Sequence, residues 1–153
     1  MRDFVRPEGF DLALNLFTSF GFFDDKTDDF RVLRNIYESL RSDGLFLIDV
    51  IGKEYLARVL QPTTSRRGAD GSLLVERHEV FDDWTRVRNE WILVKGDHAR
   101  SFTFHHTIYS AQELKDLLRQ AGFQRVVAYG DLEGHEYGPD ARRLVTIAWK
   151  SGP

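Results

Sequence analysis

The sequence predicts an α/β fold in which a largely parallel sheet carries a three-stranded antiparallel insert. Two short apolar runs, residues 10–16 and 45–50, flank a stretch with apolar side chains at helical spacing. That is half of a parallel βαβ unit. Between residues 73 and 109, three runs of strand character follow one another with only turn-length gaps, which requires antiparallel pairing. A capped helix and two more strand-like runs complete the chain.

Taken in order, residues 10–16 (Phe-Asp-Leu-Ala-Leu-Asn-Leu) are mostly apolar, as a strand buried on both faces should be. An aromatic loop, residues 17–23, pivots on Gly21. Asp24, Asp25, Asp28 and Asp29 place negative charge where a helix N-terminus favours it. Phe30, Leu33, Ile36, Tyr37 and Leu40 then form one apolar stripe, and Asp43-Gly44 is expected to stop the helix with a left-handed glycine. After the strand at 45–50 come a short helix at 53–60 and a polar loop at 61–71. The insert, residues 72–109, is read as strands at 73–81, 85–94 and 100–109. Ser110-Ala-Gln-Glu113 is a capping box that opens a helix closed by Gly122, and strands at 125–129 and 144–149 finish a single domain, 1–153.

A two-residue turn at Asp97-His98 would set Leu93 opposite Phe102, Trp91 opposite Phe104, Asn89 opposite His106 and Val87 opposite Ile108. One face of this ribbon is then apolar except for Asn89 and His106, which are expected within hydrogen-bond reach of each other. The other carries Arg88, Glu90, Thr103, His105 and Tyr109, as a solvated face should. The pairing of the first insert strand is left open by the sequence. Asn89, Trp91 and His106 are candidate substrate-facing residues, against the alternative of a satisfied structural pair.

Composition narrows the functions. With 42% hydrophobic and 29% charged residues, the 153-residue chain has the make-up of a globular domain. The net charge is −3 with both signs interspersed, so nucleic acid and anionic membrane are not expected partners. Cysteine is absent, which excludes disulfides and thiolate chemistry and fits a reducing cytoplasm. His105 and His106 are adjacent, so a strand points them to opposite sides and they cannot share a metal; no metal site is expected.

The order strand, helix, strand, insert, helix, strand, strand resembles the second half of the class I S-adenosylmethionine-dependent methyltransferases, a Rossmann-like fold with an antiparallel seventh strand. Residues 10–21 (Phe-Asp-Leu-Ala-Leu-Asn-Leu-Phe-Thr-Ser-Phe-Gly) look like the family's fourth strand and loop. Residues 33–49 look like its next helix and fifth strand, and residues 113–123 like the helix before its sixth. The resemblance implies methyl transfer from S-adenosylmethionine to a small-molecule nucleophile. It implies that Asn15, Leu16 and Phe17 line the cofactor and that Thr18, Ser19 and Phe22 face the acceptor. No catalytic side chain is singled out, because orienting the reactants supplies much of the rate. The family's Gly-rich turn and ribose-holding acid are not found before Phe10, so a truncated chain that binds the cofactor weakly or not at all is expected. An exposed strand at 10–16 would then favour a homodimer, unless Phe4 and Val5 fold back over it. The alternatives are a self-associating fragment without enzymatic activity, or a small α/β binding domain.

Overall fold

Residues 1–151 are described by a computed structural model of the chain. β1 (Phe10–Asn15) pairs in parallel with β2 (Leu40–Val50), and α1 (Lys26–Ser39) connects them. The Asp25 carboxylate caps α1 by accepting from the Thr27 N–H at 2.8 Å. The helix does not run to Asp43-Gly44 as the sequence suggests. It stops at Ser39, and both residues lie inside β2. Phe10 opposes Leu40 and Leu12 opposes Leu45, so two steps on β1 match five on β2 and the surplus bulges. Gly44 serves that bulge by close approach rather than by a left-handed backbone: a Cβ there would meet the Arg41 carbonyl oxygen at 2.9 Å.

α2 (Lys53–Val59) leads into a second sheet. β3 (Thr63–Arg67), β4 (Leu73–Phe81), β5 (Arg86–Lys95) and β6 (His98–Thr107) form an antiparallel meander in that order. The insert therefore has four strands, not three. β3 falls within the stretch read as a polar loop, because Thr-Thr-Ser-Arg-Arg buries little and has no apolar alternation to betray it. A polar edge strand of this kind also discourages pairing with another chain.

α3 (Ala111–Ala121) carries the expected capping box and ends on Gly122 at φ 119°. β7 (Arg125–Tyr129) and β8 (Leu144–Trp149) return the chain to the first sheet, whose order is β1-β2-β8-β7. β8 is antiparallel to both of its neighbours. Val32 and Leu33 of α1 and Leu114 and Leu118 of α3 pack with Phe46, Ile48, Leu144 and Ala148 in one buried cluster, so both helices cover the same face. The alternating residues point the other way, and there Leu12 and Leu14 remain 51% and 56% exposed. The N-terminal segment runs along α1, with the Gly9 N–H donating to the Ser39 carbonyl at 2.9 Å. Phe4 reaches the Phe10 ring at 6.3 Å, but this leaves Leu12 and Leu14 uncovered.

Tyr109 departs from expectation. It lies beyond β6 and is buried in the main core, not on the solvated face of the insert. Its hydroxyl donates to Asp29 Oδ2 at 2.6 Å. Burial, reinforced by that carboxylate, pushes the phenol well above its ordinary pKa. Burial also raises Asp29, against the opposing pull of the Tyr109 hydrogen bond. No helix among the described residues is long and apolar enough to cross a membrane.

Candidate functional site

At the carboxyl end of β1 the backbone turns sharply. Asn15 is buried; its Nδ2 donates to the Met1 sulfur at 3.4 Å, and its Oδ1 has no partner. Phe17 and Thr18 follow with φ of 56° and 64°, left-handed values that side-chain-bearing residues adopt only when held. The hold comes from Asp49 at the end of β2. Its Oδ2 accepts from the Phe17 N–H at 3.3 Å, and its carbonyl accepts from the Thr18 N–H at 3.2 Å. Arg143 completes the clamp, with Nε donating to Asp49 Oδ1 at 2.7 Å and Nη2 to the Thr18 hydroxyl at 3.3 Å. The turn leaves Phe17 80% exposed, two residues along the chain from Asn15 with its orphaned oxygen. Further on, the Thr107 N–H donates to the Gly21 carbonyl at 2.7 Å and ties this loop to the second sheet.

Next to this turn is a largely apolar cavity of about 370 Å³. α2 forms one wall with Tyr55, Leu56 and Val59, while Trp91, Phe104 and Val87 of the second sheet roof it and Thr18 stands at its border. α2 is anchored from its first turn. The Glu54 carboxylate accepts from the Ala111 N–H at 3.0 Å and from the Tyr137 hydroxyl at 2.8 Å, and Lys53 Nζ meets Glu113 Oε1 at 2.8 Å.

A polar row crosses the apolar roof. His78 Nδ1 lies 2.8 Å from Asn89 Oδ1, and Asn89 Nδ2 lies 3.3 Å from His106 Nδ1. The Phe22 ring stacks on His106 with centroids 5.0 Å apart. Burial, helped by neighbouring His105, lowers the His106 pKa from its ordinary value, which favours the neutral ring. His105 itself points away, with Nε2 2.8 Å from Asp24 Oδ1.

The structure brings Thr18, Asn89, Trp91 and His106 to the cavity, with Phe22 behind His106. Ser19 is elsewhere: it is exposed, and its hydroxyl donates to the Leu16 carbonyl at 3.0 Å. Asn15, Leu16 and Phe17 lie in the adjoining turn rather than in the cavity lining. The expected strand register is corrected by two residues. Gly96-Asp97 makes the turn, so Asn89 opposes Phe104, Trp91 opposes Phe102, Leu93 opposes Arg100 and Val87 opposes His106. Glu90 opposes Thr103, and Arg88 opposes His105. Asn89 and His106 nevertheless share the inner face and bond diagonally.

His78 and Glu76 also line the cavity, and neither stands out in the sequence. Their placement depends on the Asp82–Thr85 turn, which pairs Phe81 with Arg86 and sets His78 opposite Asn89. The sequence left that pairing open. A trace was available in Glu76, His78 and Val80, which alternate with the charged Arg77 and Glu79.

The fold is that of known methyltransferases. A methyltransferase from Streptomyces caelestis, CcbJ, superposes with a TM-score of 0.80 at 16% identity over 92% of this chain and 57% of its own. An S-adenosylmethionine-dependent methyltransferase from Clostridium acetobutylicum gives a TM-score of 0.76 at 14% identity, over 99% and 62%. CalS10, an amino pentose methyltransferase from Micromonospora echinaspora with S-adenosylmethionine bound, gives 0.64 at 17%, over 98% and 62%. The chain therefore spans about three-fifths of the length of these proteins. No protein-family model and no curated protein sequence matches it.

Proposed function

We propose, from the class I methyltransferase fold that this chain carries, that it is the acceptor-side part of an enzyme that methylates a small-molecule nucleophile with S-adenosylmethionine. The observation behind this is the roofed, mostly apolar cavity beside the clamped turn at the carboxyl end of β1. Ligands of open α/β sheets bind at that end of the strands.

The residues present fit one side of the cofactor. Asn15 Oδ1 is a buried acceptor without a partner, and S-adenosylmethionine offers N–H and O–H donors. Leu16 and Phe17 would line it from the turn, and its sulfonium supplies an electrophilic methyl group. The chain's own contribution is to orient the acceptor and exclude water, which Trp91, Phe104 and Tyr55 are placed to do. S-adenosylmethionine titrated into labelled protein is expected to shift the amide signals of Asn15–Thr18 only at concentrations well above micromolar. Micromolar affinity would overturn the partial-site reading. No shift at these residues even at millimolar ligand would overturn the assignment of the cofactor.

A non-enzymatic, self-associating chain is the second reading, favoured by the exposed Leu12 and Leu14 on edge strand β1. In both readings β1 pairs or packs across a two-fold axis in a homodimer, because an unblocked apolar edge and face seek a partner. Sedimentation is expected to give a dimer that Leu12→Lys with Leu14→Lys converts to a monomer. A stable wild-type monomer at high concentration would exclude it.

A further inference from the structure

The row His78–Asn89–His106 is more than a satisfied structural pair, because a single amide joins two imidazoles through unlike atoms. A carboxamide has an acceptor on one side and a donor on the other. With Asn89 Oδ1 2.8 Å from His78 Nδ1, that nitrogen must carry the proton to donate. With Asn89 Nδ2 3.3 Å from His106 Nδ1, that nitrogen must be bare to accept. When neutral, the two rings therefore hold opposite tautomers: His78 has its free lone pair on Nε2, and His106 has its proton there. Exchanging the amide's two ends would swap the roles but keep them opposite. Both histidines line the cavity, and neither Nε2 is among the buried polar atoms left without a partner.

We infer that Asn89 sets these tautomers so that the cavity offers an incoming molecule one proton acceptor, His78 Nε2, and one proton donor, His106 Nε2–H. This rests on the methyl-acceptor reading above and narrows it. The matching acceptor is a small, mostly apolar amine or alcohol whose nucleophilic N–H or O–H sits beside a second hydrogen-bond-accepting atom. As its nitrogen or oxygen gains the methyl group, the donor's carbon–sulfur bond breaks with the electron pair left on sulfur, and the acceptor's proton passes to His78 Nε2. Asn89 is the positioning residue. Phe22, stacked on His106, fixes the second ring. Glu76 also borders the cavity, with its Oε2 3.9 Å from Arg66 Nε.

The test is the ring nitrogen spectrum of histidine-labelled protein, at a pH where both rings are neutral. His78 is expected in the Nδ1–H form, which free histidine disfavours, and His106 in the Nε2–H form. In Asn89→Asp, a nearly isosteric change, the carboxylate accepts from both rings, so His106 should change to Nδ1–H while His78 stays. Catechol, a probe with neighbouring O–H groups on an apolar ring, should shift both Nε2 signals in the wild type, with at least tenfold weaker binding in Asn89→Asp. Like tautomers in the wild type, reversed ones, or a His106 unchanged by Asn89→Asp would overturn the inference, as would catechol leaving both signals unmoved. Opposite tautomers and catechol binding in a protein that fails the S-adenosylmethionine titration would instead sink the methyl-transfer reading alone.

Discussion

Arg143→Ala is expected to lower the stability of the fold by about 3 kcal/mol, the low end of the cost of breaking a buried ion pair. Asp49 is 1% exposed, and its two oxygens are used by Arg143 Nε and the Phe17 N–H. Without the guanidinium, the carboxylate stays in an apolar strand end with one backbone donor to satisfy it. The Arg143 side chain is 29% exposed, so water offsets part of the loss and the upper end of the range is not reached. Replacing both partners by apolar residues, Asp49→Leu with Arg143→Met, should cost less than the single change, because no charge is then stranded. Urea unfolding of the three proteins measures this. A loss below about 1 kcal/mol in Arg143→Ala would mean the pair behaves as a surface contact. The same variant should free the Phe17–Thr18 turn, since the arginine also holds the Thr18 hydroxyl.

Gly21→Ala should be similarly damaging for a different reason. Gly21 has φ 95°, where a Cβ is unwelcome, and the added carbon would lie 2.5 Å from the Thr107 carbonyl oxygen. The strained backbone alone costs about 1–2 kcal/mol. The clash falls on backbone rather than on a side chain that could swing away, so the loop and β6 must part. Their 2.7 Å hydrogen bond from the Thr107 N–H to the Gly21 carbonyl would go with them. Thermal unfolding should show a loss of more than about 2 kcal/mol. A change within about 0.5 kcal/mol would show that the junction is pliable.

Much of this architecture was legible in the sequence, and the failures have a common form. β7 and β8 match the expected runs at 125–129 and 144–149, because both are apolar runs bounded by glycine and polar residues. The Ser110 capping box and the Gly122 stop could be read from local chemistry alone. β3 was not legible because a polar edge strand that buries little shows no apolar alternation. Nor was the bulge at Gly44, where a residue that elsewhere ends helices answers a mismatch between two strands far apart in sequence. The insert register slipped because glycine's freedom placed the turn at Gly96, φ 62°, rather than at Asp97-His98. The slip was by two residues, so side chains kept their faces and Asn89 still met His106. His78 was lost with the turn that positions it.

The position of β8 bears on how the protein is made. It lies inside the first sheet, between β2 and β7, yet no later strand follows it among the described residues. On the ribosome, the second sheet can zip up hairpin by hairpin, since each strand pairs with the one just synthesised. The first sheet cannot. Leu45 waits for Trp149, and until that residue leaves the exit tunnel β2 and β7 each present a bare strand edge to their surroundings. The nascent chain therefore carries a finished roof over an unfinished floor, and chaperone capture during synthesis would have to guard β2 and β7 rather than the insert.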